Sequence, residues 1–511
     1  MKKIKVILIT LLFLSACKNW DFGDINNPPI DPVESTPKDL FSGGIVNFFN
    51  NTGRSYFMNP TLYIQWNHQV LYDSEMKYAD RPISWTPYFV GVLSNFKENI
   101  KFYEENLANN ASLAPVYGDL NNQLAANKVM YAYIFKFITD IYGDVPYSEA
   151  LDDKNLTPKY DNQIDIYKSI LQMLKEARDA FNPSAEYAMI NGDVIYEGEV
   201  SKWRKLANSL LLHTALQLVD VDNATASQYI TDAVNDGDFI EKINDEAWIR
   251  YLKCDEFLQN PISRFRDGDY CYAREFTDAL KGRSKATPGS YSPTYNHSVD
   301  PRIMVYLNDP NKDGEPYARF LSRISRQAQF SSYIKGLESP LPFFTAAWTY
   351  LDRAEAAARG LSSENFDNLL SQAIQISIQS ADYHWSQFTE QDAATYYNLA
   401  ANYVTNRVAD ANDATYGGST SAEEAKLRVI AEEKWVAYFP MGFEAWTQWR
   451  RLDMPELQPH PEAINTHGTI PVRYRYPGTE PTENNENYQA ALQGLNPQED
   501  NNEAKVRWDV N

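Results

Sequence analysis

The chain has 511 residues and is acidic, with 68 Asp and Glu against 47 Lys and Arg and a net charge of −21. A charge of this sign repels phosphate backbones and anionic lipid surfaces, so nucleic acid is excluded as an expected partner. The length exceeds the roughly 250–300 residues that one hydrophobic core organises, which predicts subdomains or a repeat scaffold.

The first sixteen residues have the features of an export signal. Three of the first five residues are lysines, and an apolar run follows to Leu14 that is too short to cross a bilayer as a helix. The run leads to "LSAC", which matches the lipobox of bacterial lipoproteins; an ordinary secretory signal is the alternative. We predict a signal peptide over residues 1–16, lipidation of Cys17 with palmitate, and a net charge of −24 once the three lysines are removed.

The segment after Cys17 has the composition of a linker. Residues 17–38 are rich in Asp, Asn and Pro and show no hydrophobic periodicity, which is typical of an extended tether. We therefore predict a lipid anchor and flexible tether over residues 17–38 and one folded domain over residues 39–511.

Helical periodicity dominates the first half of the predicted domain. Apolar residues recur at helical spacing over 166–181 and again over 200–218, so each segment should bury one face. The segment 127–146 is apolar on nearly every side, which predicts a central helix that ends where Gly143 and Pro146 interrupt it. We expect this helix to pair with the 166–181 helix.

Two further helix pairs are predicted in the second half. Residues 343–360 should pair with 365–383, with Gly360 capping the first helix, and residues 422–439 should pair with 443–453. Small side chains along the first of these helices allow close packing, as in tetratricopeptide hairpins. We therefore predict a mostly α fold, in which irregular tetratricopeptide-like helical hairpins form a scaffold.

Loop-rich inserts separate these helices. Residues 250–345 and 453–511 are rich in Pro, Gly, Tyr and Asn and have little periodicity, and long ordered loops of this kind are usually functional. We predict that the inserts carry the ligand surface. Cys254 and Cys271 lie in the first insert, and the sequence leaves open whether they form a disulfide or remain free thiols.

Catalytic motifs are not evident in the sequence. It contains no HExxH, GxSxG, P-loop or dinucleotide-binding motif, and its six histidines lack metal-ligand spacing. We predict no catalytic residues and no enzymatic activity. A glycoside hydrolase remains an alternative, because the two carboxylates of such an enzyme meet only in the fold.

One loop resembles the start of a calcium site. In "DPNKDGE", the residues Asp309, Asn311 and Asp313 occupy positions 1, 3 and 5 of an EF-hand loop, but position 12 is Phe320 instead of a carboxylate. This excludes an EF-hand. An isolated loop calcium is one interpretation, a plain Asp-Gly turn is the other, and no other cofactor is expected.

Aromatic residues suggest where a ligand could bind. The stretch 56–89 is the densest, and its first half looks helical, so Tyr63, Trp66 and Tyr72 are expected in the core. Its second half surrounds two prolines, and its rings and polar groups could stack on sugar faces and hydrogen-bond to hydroxyls. The candidate ligand residues there are Tyr78, Asp80, Arg81, Trp85 and Tyr88.

A second candidate cluster lies in the 250–345 insert. It comprises Tyr291, Tyr295 and Asn296 within "SYSPTYNHS". For every residue of both clusters, packing in the protein core is the alternative.

Three stretches together resemble the SusD/RagB family of outer-membrane surface lipoproteins. They are "ITDIYGDVPYSEAL" (138–151), "EEKWVAYFPMGFEAWTQWRRLDMPEL" (432–457) and the ending from "RYRYPGTEPTENNENYQAAL" to "VRWD" (473–509). They occur in family order behind the lipobox. Their own aromatic and arginine residues are expected to hold helices and loops together, with Arg450 and Arg451 pairing with carboxylates such as Glu444 or Asp453.

The resemblance implies a function in nutrient capture. It implies a lipid-anchored protein on the cell surface that binds oligosaccharide and passes it to a SusC-like TonB-dependent transporter in the outer membrane. A peptide or another oligomer is the alternative ligand. A glycoside hydrolase or a purely structural surface protein would be a different class of function.

Overall fold

The computed structural model describes residues 35–52, 58–79, 82–266, 268–283, 298–317, 327–464 and 466–510. The predicted signal peptide, Cys17 and most of the predicted tether lie outside these residues. The first described helix, α1 (Pro37–Asn51), already includes the last two residues of the predicted tether.

Helices of the first half pack as consecutive neighbours. After α1 come α2 (Ser94–Asn106), α3 (Leu120–Tyr142), α4 (Gln163–Ala180), α5 (Val200–Leu216) and α6 (Asn223–Asp236). Each of them packs against the next along the chain. The predicted pairing of the central helix with the helix that follows it is confirmed as α3 against α4.

The second half repeats this arrangement. Its long helices are α7 (Ala346–Ala358), α8 (Phe366–Ala381), α9 (Glu390–Asn412), α10 (Ala422–Ala437) and α11 (Gly442–Leu452). Neighbours again pack in order, and α7 also contacts α10 and α5, which joins the two halves. Both predicted pairs are confirmed, as α7 with α8 and α10 with α11, and the mostly α fold with helical hairpins is confirmed with them.

Short helices and strands lie between the long helices and in the inserts. The short helices are Asn59–Tyr63, Thr86–Tyr88, Asn110–Tyr117, Arg274–Leu280, Ile303–Tyr306, Ser332–Lys335, Glu480–Glu483 and Asn485–Leu492. The strands are β1 (Asn67–Gln69), β2 (Val145–Pro146), β3 (Tyr160–Asp161), β4 (Ala247–Ile249), β5 (Tyr270–Tyr272) and β6 (Leu341–Phe344). They pair antiparallel as β1 with β5, β2 with β3 and β4 with β6.

Polar caps and glycines set the ends of the helices. The Asp119 carboxylate accepts a hydrogen bond from the Asn122 backbone N–H at 3.1 Å and caps the start of α3. Gly143 follows α3 with φ of 91°, and Gly360 follows α7 with φ of 69°. Both glycines adopt left-handed backbone conformations that other residues rarely tolerate, so the predicted ends of these two helices are confirmed.

The core is rich in aromatic rings. Phe137 of α3 lies 5.2 Å from Phe48 of α1 and 4.8 Å from Phe443 of α11, measured between ring centroids, with edge-to-face geometry. Burial of each such side chain contributes about 1.5–3 kcal/mol to folding. The central helix predicted from its uniform apolar character therefore lies where both halves of the scaffold meet.

A chain of buried charges crosses α3, α5, α7, α10 and α11. No side chain in it is more than about 4 % exposed, and each charge has an opposite partner within hydrogen-bond distance. The pairs are Lys136 with Asp140, His213 with Asp352, Lys434 with Asp352 and Glu355, and Arg451 with Glu355. Their burial and mutual compensation fit a structural role.

The predicted partners of the paired arginines are wrong. Arg451 forms its ion pair with Glu355 of α7 at 2.5 Å. Arg450 donates to the carbonyl oxygens of Asp140 at 2.8 Å and Val472 at 2.7 Å, and its guanidinium stacks over the Trp446 ring at 4.0 Å. Both arginines therefore join α11 to distant segments, and the expected structural role of this stretch is confirmed.

Candidate ligand-binding groove

A groove with mixed aromatic and charged walls opens beside the β1–β5 pair. Its volume is about 430 Å³, within the usual range for small-ligand sites. We call it the Tyr72 groove; it is lined by Asn50, Tyr72, Pro261, Arg264, Phe265, Arg266, Asp269 and Tyr270.

Long-range strand pairing builds this groove. Gln69 of β1 pairs with Tyr270 of β5, and the Val70 N–H donates to the Asp269 carbonyl at 2.8 Å. This pairing places Tyr72, which follows β1, opposite the loop that precedes β5. The Tyr270 hydroxyl donates to the Glu75 carboxylate at 3.2 Å and fixes the turn after Tyr72.

Tyr72 presents the largest apolar face in the groove. Its side chain is 69 % exposed, whereas the neighbouring rings of Phe265 and Tyr270 are buried. A flat ring with a polar edge suits stacking on the C–H face of a sugar. The groove therefore offers one exposed platform backed by a rigid aromatic floor.

Polar groups around the platform are available for a ligand. The side chains of Arg266 and Asp269 form no hydrogen bond or ion pair with any described residue, and the Arg266 side chain is exposed. Asn50 Nδ2 is buried without a hydrogen-bond partner in the same part of the chain. An unpaired buried donor is costly, so a ligand oxygen that accepts from it would recover free energy.

This arrangement can bind a polyhydroxylated molecule. An arginine side chain only donates hydrogen bonds, an ionised carboxylate only accepts them, and a hydroxyl group does both. Arg266 and Asp269 can therefore each form a hydrogen bond with a ligand hydroxyl group. Among the described residues that line the groove, Asp269 is the one carboxylate, and none is a histidine, cysteine or serine.

Sequence reasoning missed the residues of this groove. Tyr72 is expected in the core because the first half of its stretch looks helical, but the described helix there, Asn59–Tyr63, ends well before Tyr72. The available signal was "SRFRDGDY" in the 250–345 insert, where charged residues alternate with aromatic ones. The insert that is predicted to carry the ligand surface does line this groove, but through residues other than those of the predicted cluster.

Tyr78 and Tyr88 of the first predicted cluster are buried. The Tyr78 hydroxyl accepts from the His460 backbone N–H at 2.9 Å, and burial raises the pKa of Tyr78 to about 12. The Tyr88 hydroxyl donates to the Asn51 carbonyl at 2.9 Å, directly behind the Tyr72 groove. Burial of both rings favours a core role over the predicted ligand contact.

Trp85 is also covered by other residues. It is 6 % exposed, and its ring centroid lies 5.2 Å from that of Tyr142, 5.7 Å from Tyr160 and 5.9 Å from Tyr476. Rings from three distant segments thus enclose it, although its own segment is a proline-bounded loop. This position favours the alternative that Trp85 belongs to the core.

The other predicted ligand residues lie outside the described part of the chain. They are Asp80 and Arg81 of the first cluster and Tyr291, Tyr295 and Asn296 of the second. Their ligand contacts stay predictions.

The family of the chain follows from its sequence as a whole. Residues 29–477 match the family model SusD-like_2, which is described as "Starch-binding associating with outer membrane". The chain belongs to this SusD-like family. The resemblance inferred from the three stretches is confirmed.

Solved structures of SusD-like proteins share the fold. One similar structure, titled a chitin-binding protein, is 23 % identical with a TM-score of 0.72, and the match covers 93 % of this chain and 100 % of that one. A SusD homologue from Bacteroides fragilis NCTC 9343 is 21 % identical with a TM-score of 0.72, covering 93 % and 99 %. A comparison with curated proteins gave no match.

In the loop that the sequence offers as a calcium site, Asp313 pairs with two cationic side chains of the protein itself. Lys281 Nζ and Arg283 Nη1 lie 2.6 and 2.7 Å from the same oxygen of Asp313, and Asp309 accepts from the Asn311 N–H at 3.0 Å in a tight turn. Within the described residues, His, Cys, Asp and Glu form no group suited to hold a metal ion. This geometry favours the plain turn over calcium.

Two further sequence questions are answered by the described residues. Cys254 is exposed and Cys271 is buried, and both are free thiols without a disulfide. None of the described helices is both long and apolar enough to cross a membrane.

Proposed function

We propose that this SusD-like protein captures oligosaccharide at the cell surface and passes it to a SusC-like TonB-dependent transporter in the outer membrane. The observation that carries the proposal is the Tyr72 groove, where an exposed ring lies beside the Arg266 and Asp269 side chains, neither of which pairs with a described residue. Stacking and paired donor and acceptor groups are the two contacts that a sugar ring requires.

Comparisons support a glycan as the ligand. The family description names starch binding and association with the outer membrane, and one similar structure is titled a chitin-binding protein. A peptide or another oligomer is the alternative ligand for the same groove. We propose binding without catalysis, so incubation with a labelled oligosaccharide should release no product.

Tyr72→Ala is expected to weaken oligosaccharide binding about fivefold or more. Loss of one aromatic stacking contact costs about 1 kcal/mol, which corresponds to that factor. The fold should be unaffected, because the ring is mostly exposed. Calorimetric titration of wild type and variant, using whichever of a set of glycans and peptides binds wild type, measures the change.

A matched control for this variant is Tyr187→Ala. Tyr187 is 47 % exposed and does not line the groove, so its loss should leave affinity unchanged. Equal binding by Tyr72→Ala and wild type would remove the groove from the ligand site. Binding of peptides alone would replace glycan by the alternative ligand, and binding of neither class would favour a structural protein.

Cys17→Ala is expected to abolish incorporation of labelled palmitate and to release the protein from the membrane fraction. The physical reason is that the proposed anchor is the lipid on this one sulfur.

Purification of wild type in mild detergent should also recover a large β-barrel partner. Unchanged labelling of the variant would contradict the anchor, and recovery of wild type alone would contradict the transporter complex.

A further inference from the structure

A second pocket lies on different elements from the Tyr72 groove. Its volume is about 290 Å³, and it opens between the loop before α5, the segment 243–250 around β4, and residues 383–384 after α8. It shares no lining residue with the Tyr72 groove. We call it the Trp248 pocket.

One wall of the pocket is held by a partly buried carboxylate. Asp193 accepts four hydrogen bonds, from the backbone N–H groups of Ile195, Tyr196 and Gly198 and from Trp203 Nε1, at 2.8–3.1 Å. These bonds fix the loop in which Glu197 adopts a left-handed conformation with φ of 55°. A conformation of this kind is strained and persists only where its surroundings impose it.

The opposite wall is held by a second carboxylate, which is buried. Glu246 accepts from Trp248 Nε1 at 2.9 Å, from Ser380 Oγ at 2.6 Å and from the Ala346 N–H at 3.0 Å, and it lies 3.2 Å from His384 Nε2. The His384 ring stacks on Trp248 with centroids 3.9 Å apart and planes at 23°. Asp193 and Glu246 are thus saturated and position the walls, which leaves ligand contacts to other groups.

The rim supplies those contacts. Arg250 and Glu197 are exposed, and neither side chain forms a hydrogen bond or ion pair with any residue that the structure describes. Tyr383, which is 54 % exposed, continues the aromatic surface from His384 at a ring distance of 4.9 Å. Lys202 is another basic residue that lines the pocket. Its Nζ lies 3.5 Å from Glu199 Oε2, so the two side chains form an ion pair.

These charges indicate the class of ligand. A cation and an anion that pair with no described residue, Arg250 and Glu197, line the same small volume, so a ligand with a charge of one sign would be repelled by one of them. A neutral hydroxyl group can accept from Arg250 and donate to Glu197. The exposed Tyr383 ring offers a stacking face, and the volume lies at the lower end of the range for small-ligand sites, about 300–1,000 Å³.

We propose that the Trp248 pocket is a second, separate binding site for one or two residues of a neutral saccharide. Tyr383 stacks on the sugar ring, and Arg250 and Glu197 hold its hydroxyls. This goes beyond the proposed function, which needs only the Tyr72 groove. A protein with two such sites can bind one glycan chain at two points. The Trp248 pocket could then hold the end of the chain while the Tyr72 groove holds residues from its interior.

The test uses saturation-transfer NMR on the mature protein with neutral disaccharides of gluco, galacto, manno, xylo and N-acetylgluco configuration. The background is Tyr72→Ala, which weakens the first site. In that background at least one disaccharide should still bind, and adding Tyr383→Ala or Arg250→Ala should weaken it at least fivefold. Adding Tyr187→Ala, an exposed tyrosine outside both sites, should change nothing.

Two outcomes would overturn the second site. One is loss of all disaccharide binding in the Tyr72→Ala background while wild type still binds, which would leave the proposed function intact. The other is full binding when Tyr383→Ala and Arg250→Ala are both present. Failure of wild type to bind any glycan would overturn the proposed function itself. Thermal unfolding of each variant shows whether it is folded, and Arg250→Ala carries the test if Tyr383→Ala does not fold.

Discussion

Trp85→Ala is expected to lower the free energy of unfolding by about 3–5 kcal/mol, the usual cost of emptying a buried aromatic site. The ring is almost completely covered, and Tyr142, Tyr160 and Tyr476 surround it. Removing it leaves a cavity that three rings from separate segments cannot easily fill. Denaturant unfolding of wild type and variant measures the difference.

The same variant separates the two roles that the sequence leaves open for Trp85. Tyr187→Ala is the control, and its effect should lie within about 0.5 kcal/mol, as for an ordinary surface position. Trp85→Ala could instead lower the free energy of unfolding no more than this control while reducing ligand affinity. In that case Trp85 belongs to the ligand site, and its assignment to the core is wrong.

Glu355→Gln is expected to destabilise the protein by about 3–5 kcal/mol, because it removes the carboxylate that compensates buried Arg451 and one of the two that compensate buried Lys434. Glu355 is fully buried on α7 and lies 2.7 Å from Lys434 Nζ and 2.5 Å from Arg451 Nη1. Glutamine keeps the shape of the side chain but supplies no charge. Denaturant unfolding at neutral pH measures the loss.

The pH dependence of this effect follows from the pKa of Glu355. Burial acts to raise this pKa, but Arg451 and Lys434 outweigh it and hold the pKa well below its ordinary value. Because the folded-state pKa is depressed, the stabilisation is present above the unfolded value, near pH 4.3, and is lost as the pH falls through the folded value. The difference between wild type and Glu355→Gln should therefore be constant at neutral pH and shrink in acid.

A surface pair provides the control for Glu355. Glu104 lies 3.0 Å from Lys128 and is about half exposed, so Glu104→Gln should cost only about 0–1 kcal/mol. A loss of less than about 1 kcal/mol in Glu355→Gln would contradict the structural role of the buried charges.

The helical scaffold was predictable because its determinants are local. Apolar residues at helical spacing, followed by Gly143 or Gly360 at the helix end, predict α3, α4, α7 and α8 and their pairing. The partner of Arg451 was not predictable, since Glu355 lies almost a hundred residues away and is brought near by the packing of α7 on α10 and of α10 on α11.

The positions of the candidate ligand residues depend on contacts that sequence spacing does not show. Tyr72 and Tyr88 are the same residue type in one aromatic stretch, yet one is mostly exposed and the other is buried. The difference arises from the pairing of β1 with β5, some 200 residues apart, which turns Tyr72 outwards. Trp85 shows the reverse, since a loop composition suggested exposure and rings from distant segments cover it.

The most direct test of the account is a crystal structure of the mature protein with the oligosaccharide that binds it best. We expect a sugar ring stacked on Tyr72 at van der Waals distance, about 3.5–4.0 Å. Its hydroxyls should lie within hydrogen-bond reach of Arg266, Asp269 and Asn50 Nδ2. A well-ordered oligosaccharide that contacts other residues and leaves Tyr72 in solvent would contradict the assignment of this groove as the capture site.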